Sequence, residues 1–181
     1  MSRDLEKILN KAMPANAEAG VGTLLKELIE RVNLLGSLHL KNTAIVTAPV
    51  LAIKTAAKAA VTSTAAFSAL VEGSLVAKNA NQDMTALSGT LAAGKSALFI
   101  FYLSQAGTLT TVKTADANTP TAALALLPEP TANLVRVGYA LVTNGTEADF
   151  TGGTTALDAT GITTTLFSSP AVTAFSAIAP L

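Results

Sequence analysis

The chain has no cysteine and no tryptophan. Without cysteine there can be no disulfides and no thiolate metal sites, and the redox compartment leaves no mark on the sequence. Aromatic residues make up only 4% of the chain. Charged residues make up 13%, against about 25% in an ordinary soluble domain. Twelve basic and twelve acidic side chains give a formal net charge of zero. That balance offers no basic face for nucleic acid and no polybasic segment for an anionic membrane surface, so neither is expected as a partner. The longest strongly apolar run, residues 97–103, is far short of the roughly 20 residues that cross a bilayer as a helix. The opening residues, Met1 to Lys7, lack the apolar stretch of a signal peptide. This leads us to expect synthesis in the cytosol without a cleaved signal.

Half of the residues are hydrophobic. Much of that half is alanine, which buries little surface per residue. Low charge combined with high apolar content predicts poor solubility for a free monomer, and it suits a chain that works inside an assembly.

Residues 96–113 are the centre of the sequence. In SALFIFYLS, Leu98, Ile100 and Tyr102 fall on one face of a strand, and Ala97, Phe99, Phe101 and Leu103 fall on the other. Side chains alternate across a strand, so apolar residues on both faces predict burial on both faces. Residues 104–107 supply a turn, with Gly107 free to take positive φ. Thr108 to Lys113 alternates Leu109 and Val112 with threonines, as expected of a half-exposed neighbouring strand.

Charge is unevenly spread: residues 1–41 hold eleven of the twenty-four charged side chains. The composition shift after Lys41 marks a boundary. Three parts are expected: a helical N-terminal arm over 1–41, a β domain over 42–169 and an extended tail over 170–181. In the arm, Ser2 and Thr23 are candidate helix caps and Pro14 ends the first helix. Leu25, Leu28, Val32, Leu35 and His39 follow at spacings of 3, 4, 3 and 4, an a/d seam. Either this helix packs on its own domain or it forms a small bundle between subunits; the spacing does not separate the two. These five residues are the candidate oligomer or partner interface. If a seam buries His39, its protonation near neutral pH would loosen the seam.

Beyond Lys41, residues 44–53 read as a strand interrupted at Pro49, and 58–64 as another. Residues 67–77 read as a hairpin turning at Glu72-Gly73. Residues 79–82 read as a turn, 121–127 as a short helix or strand, and 127–130 as a stiff connector fixed by two prolines. Residues 133–143 are the second strong strand, followed by Asn144-Gly145 as a two-residue hairpin turn. Residues 150–155 read as loop and 161–167 as the last strand. Turn signals every eight to twelve residues indicate an antiparallel sandwich or barrel.

One motif carries a chemical suggestion. Gly89-Thr-Leu-Ala-Ala-Gly94-Lys95-Ser96 fits the phosphate-binding pattern Gly-x4-Gly-Lys-Ser. A working loop of this kind opens a helix whose N-terminal amides face the phosphates, yet residues 97–103 are strand-like. No apolar run ending in aspartate follows to hold magnesium. The expected reading is therefore a glycine turn with Lys95 solvated, and nucleotide binding is the remote alternative. Glu147, Asp149 and Asp158 surround Gly152-Gly153, but calcium wants six or more oxygens, so a solvated loop is expected. Glu72, Asp83 and Asp116 read as turn residues. Asn144-Gly145-Thr146 matches a glycosylation sequon by pattern only. His39, the single histidine, lies on a helix face without the partners of a catalytic triad. No catalytic, cofactor or metal residue is expected.

Several stretches in order carry a resemblance: LSGTLAAGKSALFIFY at 87–102, GTLTTVK at 107–113, LPEP at 127–130, NLVRVGYALVT at 133–143 and FTGGTTALDATGITTT at 150–165. Behind a short helical segment, this texture resembles β-rich structural proteins of tailed-bacteriophage virions, of the capsid decoration (cement) and head-fibre type. It spans roughly Val61 to Ser169. The resemblance implies a non-enzymatic homo-oligomer, a trimer favoured, on the virion capsid surface. Its partner would be the major capsid protein, whose neighbouring subunits it would bridge. A tail or head fibre or adhesin component is the alternative within that class.

Overall fold

The computed structural model describes residues 43–131 and 133–171. They belong to the unit Asn42–Leu181. Residues 1–42 and 172–181 lie outside the described residues. With them go the expected helical arm, most of the tail, and the interface candidates Leu25, Leu28, Val32, Leu35 and His39.

The described chain is mainly antiparallel β-structure, as expected. Strands β1 (Ala44–Thr47), β4 (Phe67–Val71) and β5 (Ser74–Lys78) form one sheet in the order β1-β4-β5. Strands β2 (Leu51–Ile53), β3 (Val61–Ser63) and β6 (Gln82–Asp83) form a second. Strands β7 (Thr90–Leu91) and β11 (Phe150–Thr151) pair with each other. The largest sheet has the order β12-β10-β8-β9, with β8 at Ser96–Ser104, β9 at Leu109–Lys113, β10 at Leu134–Asn144 and β12 at Ile162–Ser168. Of the two expected architectures, the sheets form the sandwich-like one and no barrel.

Local chemistry explains several elements. Pro49 separates β1 from β2, and the two pieces join different sheets. Glu72 and Gly73 both take positive φ, 49° and 78°, the paired left-handed geometry that suits a two-residue hairpin to strand twist. Helix α1 (Pro120–Leu124) begins at Thr119, whose hydroxyl accepts from the Ala122 amide at 3.1 Å. Pro120 follows at the first helical position, where a missing N–H costs nothing.

Strand β8 is the centre. It pairs with β10 along one edge and β9 along the other. Every residue from Ser96 to Leu103 is buried. Ala97, Phe99, Phe101 and Leu103 join the larger core, with Val135 and Val142 from the neighbouring β10 and Ile45, Phe67, Val71, Leu91 and Phe150 from the other sheets. The Phe99 and Phe150 rings meet edge to face, centroids 6.0 Å apart. Leu98, Ile100 and Tyr102 fill a smaller core on the opposite face, with Ala117, Ala123 and Leu141. Helix α1 and its flanking connections therefore cover the second face.

Strand β9 is the half-exposed neighbour expected: Leu109 pairs with Leu103 and packs on the larger core, whereas Val112 pairs with Ile100 and is 49% exposed. An odd separation divides the two between the faces of the strand. One expectation is corrected: Asn144-Gly145 is not a two-residue hairpin turn. Asn144 ends β10, and the chain runs through residues 145–161, including β11, before β12 returns with Ile162 opposite Asn144. Residues 150–151, expected as loop, are that short strand.

Gly138 follows an irregularity in β10 between Arg136 and its own position. A Cβ there would collide with the Phe167 carbonyl oxygen and lie 2.6 Å from Leu51 Cδ1. The absent side chain lets β12 and β2 close on β10.

Phe99→Ala should cost about 3–5 kcal/mol in denaturant unfolding, the range for a fully buried aromatic. Val112→Ala, on the exposed side of β9, should stay within about 0.5 kcal/mol. Equal losses would contradict this division of the core.

Candidate functional site

The phosphate-loop-like segment is the natural place to look for chemistry. Thr90–Leu91 forms β7, and the chain turns through residues 92–95 with Gly94 at φ 69° before entering β8. A strand, not a helix, follows Lys95, so no helix N-terminus faces the loop. The loop amides also have partners. The Ala92 amide donates to Asp116 Oδ2 at 3.0 Å, and the Ala93 amide donates to Asp149 Oδ1 at 3.3 Å. Two carboxylates of the chain itself occupy the donors that a phosphate would need. Lys95 Nζ donates to Asn118 Oδ1 at 2.5 Å. Ser96 is buried, with its hydroxyl 3.0 Å from that of Thr143. Gly94 and Lys95 thus belong to a turn, and Ser96 to the strand after it, pinned to their surroundings.

Asp116 is the hub of this clasp. Its second oxygen accepts from Lys113 Nζ. Burial pushes the Asp116 carboxyl up, but the Lys113 hydrogen bond, the Ala92 amide and the charges of Lys113 and Lys95 outweigh it. The group is held below its ordinary value of 3.8. Asp116 was expected to be a turn residue and Asp149 a solvated one. Their partners lie 24 and 56 residues away in the chain, a tertiary relation that no local pattern announces.

Asn144 is the second hub. It is fully buried. Its Nδ2 donates to the carbonyls of Leu91 at 3.2 Å and Ala148 at 2.8 Å. Its Oδ1 accepts from the Thr146 amide at 3.0 Å and the Thr146 hydroxyl at 2.6 Å. The side chain ties β10 to β7 and closes the first loop after the strand. Because its amide is enclosed and fully used, the sequon pattern here marks a structural joint.

The remaining acids are dispersed. Asp83 pairs with Lys54 at 2.5 Å and Asp158 with Lys58 at 2.7 Å. Among the described residues, no group of three His, Cys, Asp or Glu side chains could hold a metal ion. No described helix is long and apolar enough to cross a membrane. Exposed apolar side chains include Val46, Val50 and Leu75, the last 66% exposed. Leu75 lies opposite Leu70, which lies opposite Ala44, so an apolar row crosses the outer face of the β1-β4-β5 sheet.

Compared with known proteins, the chain matches no family model, no curated protein and no solved structure.

Two outcomes check the clasp. The folded Asp116 carboxyl lies below its ordinary value, so its stabilisation is complete above that value and fades as pH falls through the folded one. Asp116→Asn should therefore destabilise the protein at neutral pH, and the gap from the parent should narrow on acidification below about 3.8. A gap that stays constant with pH would contradict the ion pairing. Asn144→Ala removes the buried donor to the Leu91 carbonyl, while the Ala148 carbonyl keeps the Thr146 hydroxyl; the change should cost about 1–3 kcal/mol by denaturant titration, and a loss below about 0.5 kcal/mol would show that the joint is dispensable.

Proposed function

We propose that this chain is a non-enzymatic structural component of a tailed-phage virion, a decoration protein that stabilises the capsid by bridging neighbouring major capsid subunits. One observation carries the reading. The polar and charged groups that might have formed a reactive site are spent on internal ties, while apolar and threonine-rich surface is left for contact. Asp116, Asp149, Lys95 and Asn144 all serve the frame. Leu75, Val50 and Val46 face outward. The ordered texture of residues 61–169 supports the virion assignment through its resemblance to decoration and head-fibre proteins.

Mechanistically, several weak contacts made at once would hold the shell. A homo-oligomer, with a trimer favoured, presents each contact surface several times. Once one copy docks, the others bind at high effective concentration. Binding to the assembled shell and not to its separated subunits raises the shell's apparent stability by mass action. The arm over residues 1–41, with the seam of Leu25, Leu28, Val32, Leu35 and His39, would join the copies or attach them to the capsid. The fibre or adhesin reading keeps the same oligomer but turns the exposed apolar row toward a host surface. The nucleotide-binding reading is disfavoured because the Ala92 and Ala93 amides already hold carboxylates.

Titrating the purified protein onto capsids that lack it should raise the capsid melting temperature in a saturable way. No binding and no shift, with the protein folded, would sink the decoration reading. Thermal stabilisation by a nucleotide, lost in Lys95→Ala, would favour the alternative.

A further inference from the structure

Strand β12 is an edge of the largest sheet. Its pairing with β10 fixes which of its backbone groups face outward. Just beyond its two ends, the Gly145 amide donates to the Gly161 carbonyl at 2.8 Å and the Ser169 amide donates to the Val137 carbonyl at 2.9 Å. With Gly138 opposite Ser168, the hydrogen-bonded pairs therefore fall on odd-numbered residues of β12. Ile162, Thr164, Leu166 and Ser168 turn their N–H and C=O groups to the open side. The Ile162 amide is taken by the Ala159 carbonyl. The ladder phase turns the backbone amides of Thr164 and Leu166 away from β10, and neither donates to a turn, loop or cap carbonyl among the described residues.

Natural edges of this length usually carry a lysine, a proline or an inward charge that keeps other strands away. This one carries none: no charged residue occurs from Ala159 to Leu181. Phe167 is 37% exposed and stacks on Tyr139, centroids 4.8 Å apart, so the strand also offers an apolar flank.

The same uncharged stretch continues past β12 as residues 172–181. Ten residues reach at most about 33–36 Å when extended. Folding back on their own β12 edge would need a tight reversal at once. Such turns call for glycine, asparagine or aspartate at positive φ. Residues 168–171 are Ser-Ser-Pro-Ala, and the Ser169 amide is still engaged with Val137. The described chain is thus still tied to β10 at Ser169, and any return onto the same edge would have to begin after it.

We propose that residues 172–181 of one copy add as a strand to the β12 edge of a second copy, by main-chain pairing to Thr164 and Leu166. Strand addition of this kind takes its affinity from backbone hydrogen bonds and its selectivity from alternate side chains. Val172, Ala174 and Ile178 would share one face of the added strand, and Phe175 the other. The link is head-to-tail, so it can close a ring of any number of copies. It rests on the oligomer proposed above and names the segment that joins its members.

The test is amide hydrogen exchange at Thr164 and Leu166, in the full chain and in a chain ending at Ala171, above and below the concentration at which the oligomer dissociates. The truncation removes nothing from the described fold. Both amides should be protected in the concentrated full chain, and protection should fall roughly tenfold or more on dilution and on truncation. Native mass should fall with truncation as well. Protection that survives dilution to the monomer would show the tail on its own edge. Protection that survives truncation, or fast exchange at both amides in the oligomer, would equally overturn the proposal. Capsid attachment, measured separately, would stand or fall on its own.

Discussion

The structure depends on one strand being covered on all four sides. Strand β8 has a hydrogen-bonded neighbour on each edge and apolar side chains on each face, and none of Ala97 to Leu103 reaches solvent to any extent except a sliver of Tyr102. Each face needs its own cover, and the two covers differ. The larger core receives side chains from all four sheets. The smaller is closed by a single-turn helix and its connections. In a chain with so few aromatics, Phe99, Phe101, Tyr102 and their neighbour Phe150 concentrate much of the large buried surface in one place. Burial of each such side chain contributes about 1.5–3 kcal/mol.

Around that strand the polar residues act as fasteners. The turn that delivers the chain into β8 is held by Asp116 from the connection after β9 and by Asp149 from the excursion after β10. Asn144 then joins the end of β10 to β7. These contacts bring together segments that are remote in sequence at the N-terminal end of β8. A loop whose amides and lysine are committed in this way is a poor receptor for a phosphate, whatever its spelling. The same residues that suggest chemistry in one dimension serve architecture in three.

What could be read from the chain beforehand follows the range of the forces involved. The alternation in residues 97–103 declares two-sided burial because it is a local pattern with one structural meaning. Pro49 and Glu72-Gly73 act through their own φ, so the break between β1 and β2 and the hairpin between β4 and β5 were both legible. The two-residue pairing of β7 with β11 was not, because two residues carry no period. Asn144-Gly145 has the composition of a tight turn, but here the asparagine side chain was claimed by carbonyls at Leu91 and Ala148, and burial overrode local preference. Asp116 and Asp149 were invisible as fasteners for the same reason: their partners are set by the fold. The interface candidates from Leu25 to His39 belong to residues outside the described part.

The functional proposals build on a frame low in charge, with an apolar row on the outer face of the β1-β4-β5 sheet and an edge strand without charge. All of them presuppose that β8 is the last element to open. Native-state hydrogen exchange in graded denaturant measures this directly. The account expects the amides of residues 97–103 to exchange only through global unfolding, with β9 and β12 opening at lower free energy. Exchange of the β8 amides by local opening, at a free energy no higher than that of β9, would contradict it.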